Sequence, residues 1–231
     1  MTRVAGAGLE HGRPSQALTW GVVGLLAQVV FAAGWVIAET WQGPRYSPVT
    51  DTISDLQAAT APHVWFPVLC FAIGGLGTCG FALFGLRPAL ADVGSAAAWK
   101  IGLSCLALGN SFPLISCQLS SPGCTATTQL LSAGGLTDAL LSGLALWVLA
   151  ITPFPLARRV TSLPGWKSLR PVLLVAGVVT PALYGLLAIA LFVGVGQGLA
   201  ERSLVVVCQL WVCLLAGNLI RVSLTRRAPA S

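Results

Sequence analysis

One charged side chain, Asp138, stands inside the otherwise uncharged 23-residue run from Gln129 to Ile151. A hydrocarbon core of about 30 Å takes roughly 20 apolar residues at about 1.5 Å each, so this run can cross a bilayer. Counted from Gln129, Asp138 falls about 14 Å in, near the midplane. A carboxylate at that depth is costly and must be protonated, paired or turned toward a polar cavity. Kept protonated by burial, the carboxyl can serve as a general acid or as a hydrogen-bonding group for a ligand. The structural alternative is a protonated acid donating to Asn110.

The same count from the outer ends of neighbouring apolar runs places Gln28, Asn110 and Asp138 at about 14–15 Å, with Gln209 shallower at about 9 Å. Four polar side chains on four helices form one expected layer. It serves either as the lining of an outward-facing pocket or as interhelical glue worth about 0.6 kcal/mol per bond. The stripe Gly135, Ala139, Gly143, at four-residue spacing, predicts close helix packing beside Asp138.

A second group of charges lies between the apolar runs: Arg45, Asp51, Asp55, Glu201 and Arg202. Carboxylates at i and i+4, as in Asp51 and Asp55, can bind a cation or do acid–base work at the pocket mouth, with Asp55 as a candidate partner for Asp138. The alternative is a solvated loop carrying surface ion pairs worth about 0–1 kcal/mol. Cys117 and Cys124 bracket Pro122-Gly123, a turn signal that brings their ends together and predicts a disulfide. The remaining cysteines sit in apolar runs as small fillers. The spacings of a metal site, a nucleophile elbow and a phosphate loop are all missing from the sequence, so neither a metal nor a cofactor is expected.

The elements that must position these residues follow from hydropathy. After a polar tail over 1–17, spans are predicted at about 18–38, 64–86, 101–119, 129–151, 172–195 and 203–220, followed by a basic tail over 221–231. The first run is too long for the 7–15-residue core of a cleaved signal and is read as a span. Between the first two spans, Val49, Ile53 and Leu56 recur at helical spacing. They predict a short interfacial helix capped by Asp51 or Thr52, with Trp35, Trp41, Trp65 and Phe66 at headgroup depth. Pro181 predicts a kink in the fifth span. The fold class is therefore all-α, an integral membrane bundle of six helices.

Composition agrees: 55% of the 231 residues are hydrophobic, 9% are charged, and mean hydropathy is +0.83. Soluble chains carry about 25% charged residues. The net charge of +6 reports orientation rather than a nucleic-acid partner, because the basic residues lie in short inter-span segments. With both termini on one side, that side holds Arg3, Arg13, Arg87, Lys100, Arg158, Arg159, Lys167, Arg170, Arg221, Arg226 and Arg227, against Arg45 and Arg202 on the other. Eleven against two predicts cytoplasmic termini in the cell membrane.

Two stretches carry a family resemblance. Tyr46-Ser47-Pro48 followed by Ile53-Ser54-Asp55-Leu56, and Gly198-Leu199-Ala200-Glu201-Arg202 with Trp211 inside the last span, resemble the uncharacterised multi-pass family called domain of unknown function 998. The resemblance covers nearly the whole chain in helix number and loop length. It implies a prokaryotic six-helix membrane protein with no established reaction. It also implies a histidine around the fourth helix in many members, and this chain has none there. The leading expectation is a protein that binds a lipid or a membrane-protein partner in an outward-facing polar pocket around Asp138. The alternative is a membrane enzyme acting on a lipid or isoprenoid with Asp138 as general acid, and the third is a proton-coupled transporter.

Overall fold

The computed structural model describes residues 14–91, 93–109 and 115–226, and every regular element among them is helical. In chain order these are α1 (Pro14–Glu39), α2 (Trp65–Gly80), α3 (Arg87–Ala89), α4 (Ser95–Leu108), α5 (Ala126–Leu131), α6 (Ala133–Ile151), α7 (Pro153–Arg159), α8 (Arg170–Val193) and α9 (Gln197–Thr225). A π-helical turn, Phe81–Leu86, joins α2 to α3 just ahead of Pro88, whose ring has no N–H to continue an α-helical ladder.

Five stretches are long and apolar enough to cross a membrane: Ser15–Glu39, Trp65–Ala89, Ala133–Ser162, Lys167–Val193 and Gln197–Thr225. The third predicted span corresponds to α4, which has 14 residues and a length of about 21 Å. The outer surface of the bundle is apolar, with Leu131, Phe192 and Val195 largely exposed, as side chains facing lipid would be. Inside, Phe71, Phe81, Trp166 and Trp211 are fully buried, and half of the most apolar stretch of α9 is covered by its neighbours. α9 packs on both α1 and α8, while α2 packs on α1 and α4, and α6 on α4 and α8. Gln16 and Arg226 line one cavity, so the two ends of the described chain lie at the same end of the bundle.

At the opposite end the loop over 40–64 and the segment over 115–125 meet through a hydrogen bond from Ala59 N to Ile115 O at 2.9 Å. The expected interfacial helix is a single 3₁₀ turn, Ser54–Gln57. Its start is a reciprocal cap. Thr52 Oγ1 accepts from Asp55 N at 3.2 Å, and Asp55 Oδ2 accepts from Thr52 N at 2.9 Å. The turn does not lie flat on the interface, since Ile53, Asp55 and Leu56 are buried and it plugs the mouth of the bundle. Trp41 and Trp65 are exposed beside it, with Trp41 edge-on to His63 and Phe66.

Two boundaries besides those of α4, which starts six residues ahead of its predicted span, depart from hydropathy. The run over 129–151 is not one helix, because Ser132 is extended (φ −74°, ψ 142°) and separates α5 from α6. Its hydroxyl accepts from Gly135 N at 3.0 Å and donates to Gln129 O at 2.7 Å, capping the new helix. A Cβ on Gly135 would come within 2.1 Å of Gln129 O, so only glycine admits this tight break. The last helix begins at Gln197, six residues ahead of the predicted span, and this extension places Glu201 and Arg202 on a helix rather than in a turn. α8 runs through Pro181 as a single helical element.

Candidate functional site

Arg202 organises the outer end. Its Nε donates to Glu39 Oε1 at 2.7 Å, and Nη1 donates to the carbonyls of Pro48, Asp51 and Gly198 at 2.9, 2.7 and 2.9 Å. Nη2 reaches Glu39 and the Tyr46 hydroxyl. One guanidinium thus ties the end of α1, the outer loop and the start of α9. The loop backbone comes so close to α9 that a Cβ on Gly198 would lie 2.3 Å from Asp51 O. Burial raises the Tyr46 phenol above its ordinary value, against the opposing pull of Arg202, so Tyr46 meets the guanidinium as a neutral hydroxyl.

Asp51 and Asp55 do not converge on a common ion. Asp51 Oδ2 accepts from Ser47 N at 2.6 Å, closing a turn in the loop. Burial raises its carboxyl above the ordinary 3.8, with the Ser47 N–H pulling the other way. Asp55 is 1% exposed, and its two oxygens accept from Thr52 N, Thr52 Oγ1, Leu119 N and Gln129 Nε2. Gln129 Nε2 also donates to Cys117 O at 2.6 Å, and Cys117 is joined to Cys124 in a disulfide. Asp55 therefore fastens the mouth turn to α5 and the disulfide loop, and its lone pairs are occupied.

These contacts correct the picture of a solvated outer loop with surface ion pairs. Asp51, Asp55, Glu201 and Arg202 are all buried, and only Arg45 stays exposed, outside the cluster. The physical reason is the long-range partner. A polar loop is drawn into the bundle when its charged groups and most of its other donors and acceptors are met there.

Beneath the plug lie two cavities that share Ser54, Ser142, Leu146 and Glu201. The inner one, about 60 Å³, has room for a few waters and is lined by Gln28, Gln57, Thr78 and Gln209 among apolar side chains. There Gln28 Nε2 donates to Thr78 Oγ1 at 2.6 Å, and Gln209 Nε2 reaches Gln28 O at 3.5 Å. The outer one, about 310 Å³, lies between α6, α8 and the mouth, and holds Asp138, Gln129, Tyr184 and Gln197. Leu130, Ala139, Ala188 and Leu191 line it and are exposed as well, so it opens sideways between α6 and α8.

The expected single layer is thus divided. Gln28 and Gln209 face the inner cavity, Asp138 faces the outer one, and Asn110 lies outside the described residues. Because α6 begins at Ala133, Asp138 is about 8 Å along its helix, in the second turn. Glu201 is about 6 Å along α9 from the same end, and Asp138 is within electrostatic range of it. Asp138 Oδ1 accepts from Ser142 Oγ at 3.3 Å, while Glu201 Oε2 accepts from Ile53 N at 2.5 Å. Gly135, Ala139 and Gly143 line the outer cavity, so this stripe makes room there rather than seating a neighbouring helix. Sequence reasoning missed Gln57, Ser142, Tyr184 and Gln197 as lining residues. Ser142, one helical turn after Asp138, was the one with a usable signal.

Neither the curated proteins nor the solved structures contain a match to this chain. A family model described as "Protein of unknown function (DUF998)" matches residues 25–218, a span that takes in the mouth loop, both cavities and the Glu201-Arg202 pair. The chain belongs to the DUF998 family, a family of unknown function.

Proposed function

We propose that the chain is a six-pass protein of the cell membrane, with cytoplasmic termini and α4 as its third crossing, that binds a membrane lipid in the outer cavity. The carrying observation is the shape of that cavity. Its lining combines the carboxyls of Asp138 and Glu201 and the amides of Gln129 and Gln197 with apolar side chains of α5, α6 and α8, of which Leu130 and Leu191 are exposed on the apolar surface. An amphiphile with its head at Asp138 and Glu201 and its chain leaving past Leu130 and Leu191 matches both parts. The concentration of basic residues at the end of the bundle away from the cavity supports its outward orientation. A second reading, a lipid-modifying enzyme, draws on the proximity of Asp138 and Glu201, two carboxyls able to divide acid and base roles.

Gly143→Leu tests the binding reading. A Cβ at Gly143 meets only the Tyr184 hydroxyl, at 3.9 Å, so the backbone tolerates a side chain that projects into the slot. Mass spectrometry of the purified wild type should show a co-purified lipid, and Gly143→Leu should lose it while melting at the same temperature. Equal lipid content in both, or none in the wild type, would overturn the proposal.

A further inference from the structure

Gln57, the last residue of the mouth turn, is 7% exposed, and its Oε1 is buried with no hydrogen-bond donor among the described residues. The side chain lines the inner cavity of about 60 Å³. Other polar groups around that space are partly spent on one another. Gln28 Nε2 donates to Thr78 Oγ1, which donates to Gly74 O at 2.8 Å, and Ser142 Oγ donates to Asp138. Two contacts are long: Ser54 Oγ reaches Glu201 Oε1, and Gln209 Nε2 reaches Gln28 O, each at 3.5 Å. The Cys105 and Cys208 thiols add weak donors. Among the described residues the lining holds one carboxyl, Glu201, and no Lys, Arg or His. Three amides bring donors as well as acceptors, so the lining favours neither sign of charge. Cavities that stay dry are apolar, whereas a polar one with room for water holds molecules that meet its unsatisfied groups.

We infer that the inner cavity is a binding site for a small hydrogen-bonded cluster of water, anchored on Gln57 and reaching Gln209 and Glu201. Water donates and accepts through one oxygen, so it meets the buried end of the Gln57 amide whichever way that amide is turned. The long contacts of Ser54 and Gln209 leave hydrogen-bonding capacity for the same cluster. A cation draws on acceptors alone and leaves the amide N–H groups unmet, and an anion faces the Glu201 carboxyl. The space is also too small for the amphiphile assigned to the outer cavity. Ser54 and Glu201 are walls of both cavities, so the cluster lies directly behind the outer one. Glu201 thereby has a water partner inside the bundle whatever the outer cavity holds. The site is independent of the lipid-binding reading above.

The test uses the full-length protein in phosphatidylcholine nanodiscs and X-ray pulses, which turn bound water into hydroxyl radicals that oxidise the side chains beside it. Phe71, 1% exposed, lines the inner cavity, and Phe81, 0% exposed, does not, so the two are a matched pair. Mass spectrometry reads their oxidation in the wild type, Gly143→Leu and Gln57→Leu, and a melting curve checks that each variant folds. Phe71 should be oxidised several-fold faster than Phe81 in the wild type and in Gly143→Leu, which fills only the outer slot. In Gln57→Leu the rate at Phe71 should fall to that of Phe81. Gln209→Met, which removes a second amide from the same lining, should show the same fall and replaces Gln57→Leu if that variant does not fold. Equal rates at Phe71 and Phe81 in the wild type would mean a dry cavity and overturn the site. Unchanged labelling in the folded amide variants would overturn its anchoring on these amides, and loss in Gly143→Leu would move the water to the outer cavity. A wild-type melting temperature raised by sodium or potassium chloride over equal choline chloride, but not in Gln57→Leu, would replace water with a cation.

Discussion

Arg202 offers five N–H donors in a rigid plane, and the outer end of the bundle supplies acceptors on all sides of it. Lysine keeps the charge but cannot reach Glu39 and three carbonyls together. We expect Arg202→Lys to lower the melting temperature of the detergent-solubilised protein clearly. Arg202→Met should cost about 3–5 kcal/mol, since it leaves Glu39 and the carbonyls without a partner. Glu39→Gln, whose side chain is 21% exposed and still able to accept, should cost less than either; a melt series on the three variants ranks them.

Asp51 gives a pH signature at the same scale. Its carboxyl is raised by burial, so the folded protein holds that proton more tightly than the unfolded chain does. The resulting stabilisation is complete below the ordinary 3.8 and is lost as pH rises through the raised value. Asp51→Asn can still accept from Ser47 N but does not titrate. Its melting temperature relative to wild type should therefore rise from about pH 4 toward neutrality and then level off. A constant difference across that range would mean that Asp51 does not titrate with folding.

At the scale of elements, the long spans were legible because apolar length alone identifies them: α1 and α9 contain their predicted runs, α2 and the π turn after it cover all but the first residue of the second, and α8 stops two residues short of the end of the fifth. The division of the fourth run was not legible. Apolar character continues through Ser132, and the break is set by one hydroxyl and one tight glycine. Nor was the burial of the mouth, because Glu39 and Arg202 are separated by 163 positions and composition marks such stretches as loops. The site was half legible. Asp138, Gln28 and Gln209 could be identified as polar residues in apolar runs, whereas Gln197 and Ser142 matter only through the cavity they share. The disulfide belongs to this scale too, since Cys117 O receives the Gln129 amide that holds Asp55. Replacing both cysteines with serine should cost about 2 kcal/mol. It should also increase hydrogen exchange at Leu119 and Gln129 while leaving α8 unchanged. Mass tagging of intact cells should label neither Cys117 nor Cys124 until reductant is added.

For the whole molecule, the two ends of the described chain share one end of the bundle and the disulfide loop occupies the other. Reporter fusions after Arg159 and after Arg226 should therefore report cytoplasm, and a fusion after Ser121 the outside. A cytoplasmic signal at Ser121 would reverse the orientation and with it the outward-facing pocket. The Arg202 contacts also set an order of events during synthesis. Tyr46, Pro48 and Asp51 leave the ribosome more than 150 residues before the guanidinium that secures them. At about 5–20 residues per second that is on the order of ten seconds. Through that interval the mouth loop has no anchor on α9, and the pocket has neither its plug nor the Glu201 wall. The last helix to be made is thus the one that completes the first loop, and a nascent chain halted before Arg202 would leave a protease-sensitive segment between its first two helices.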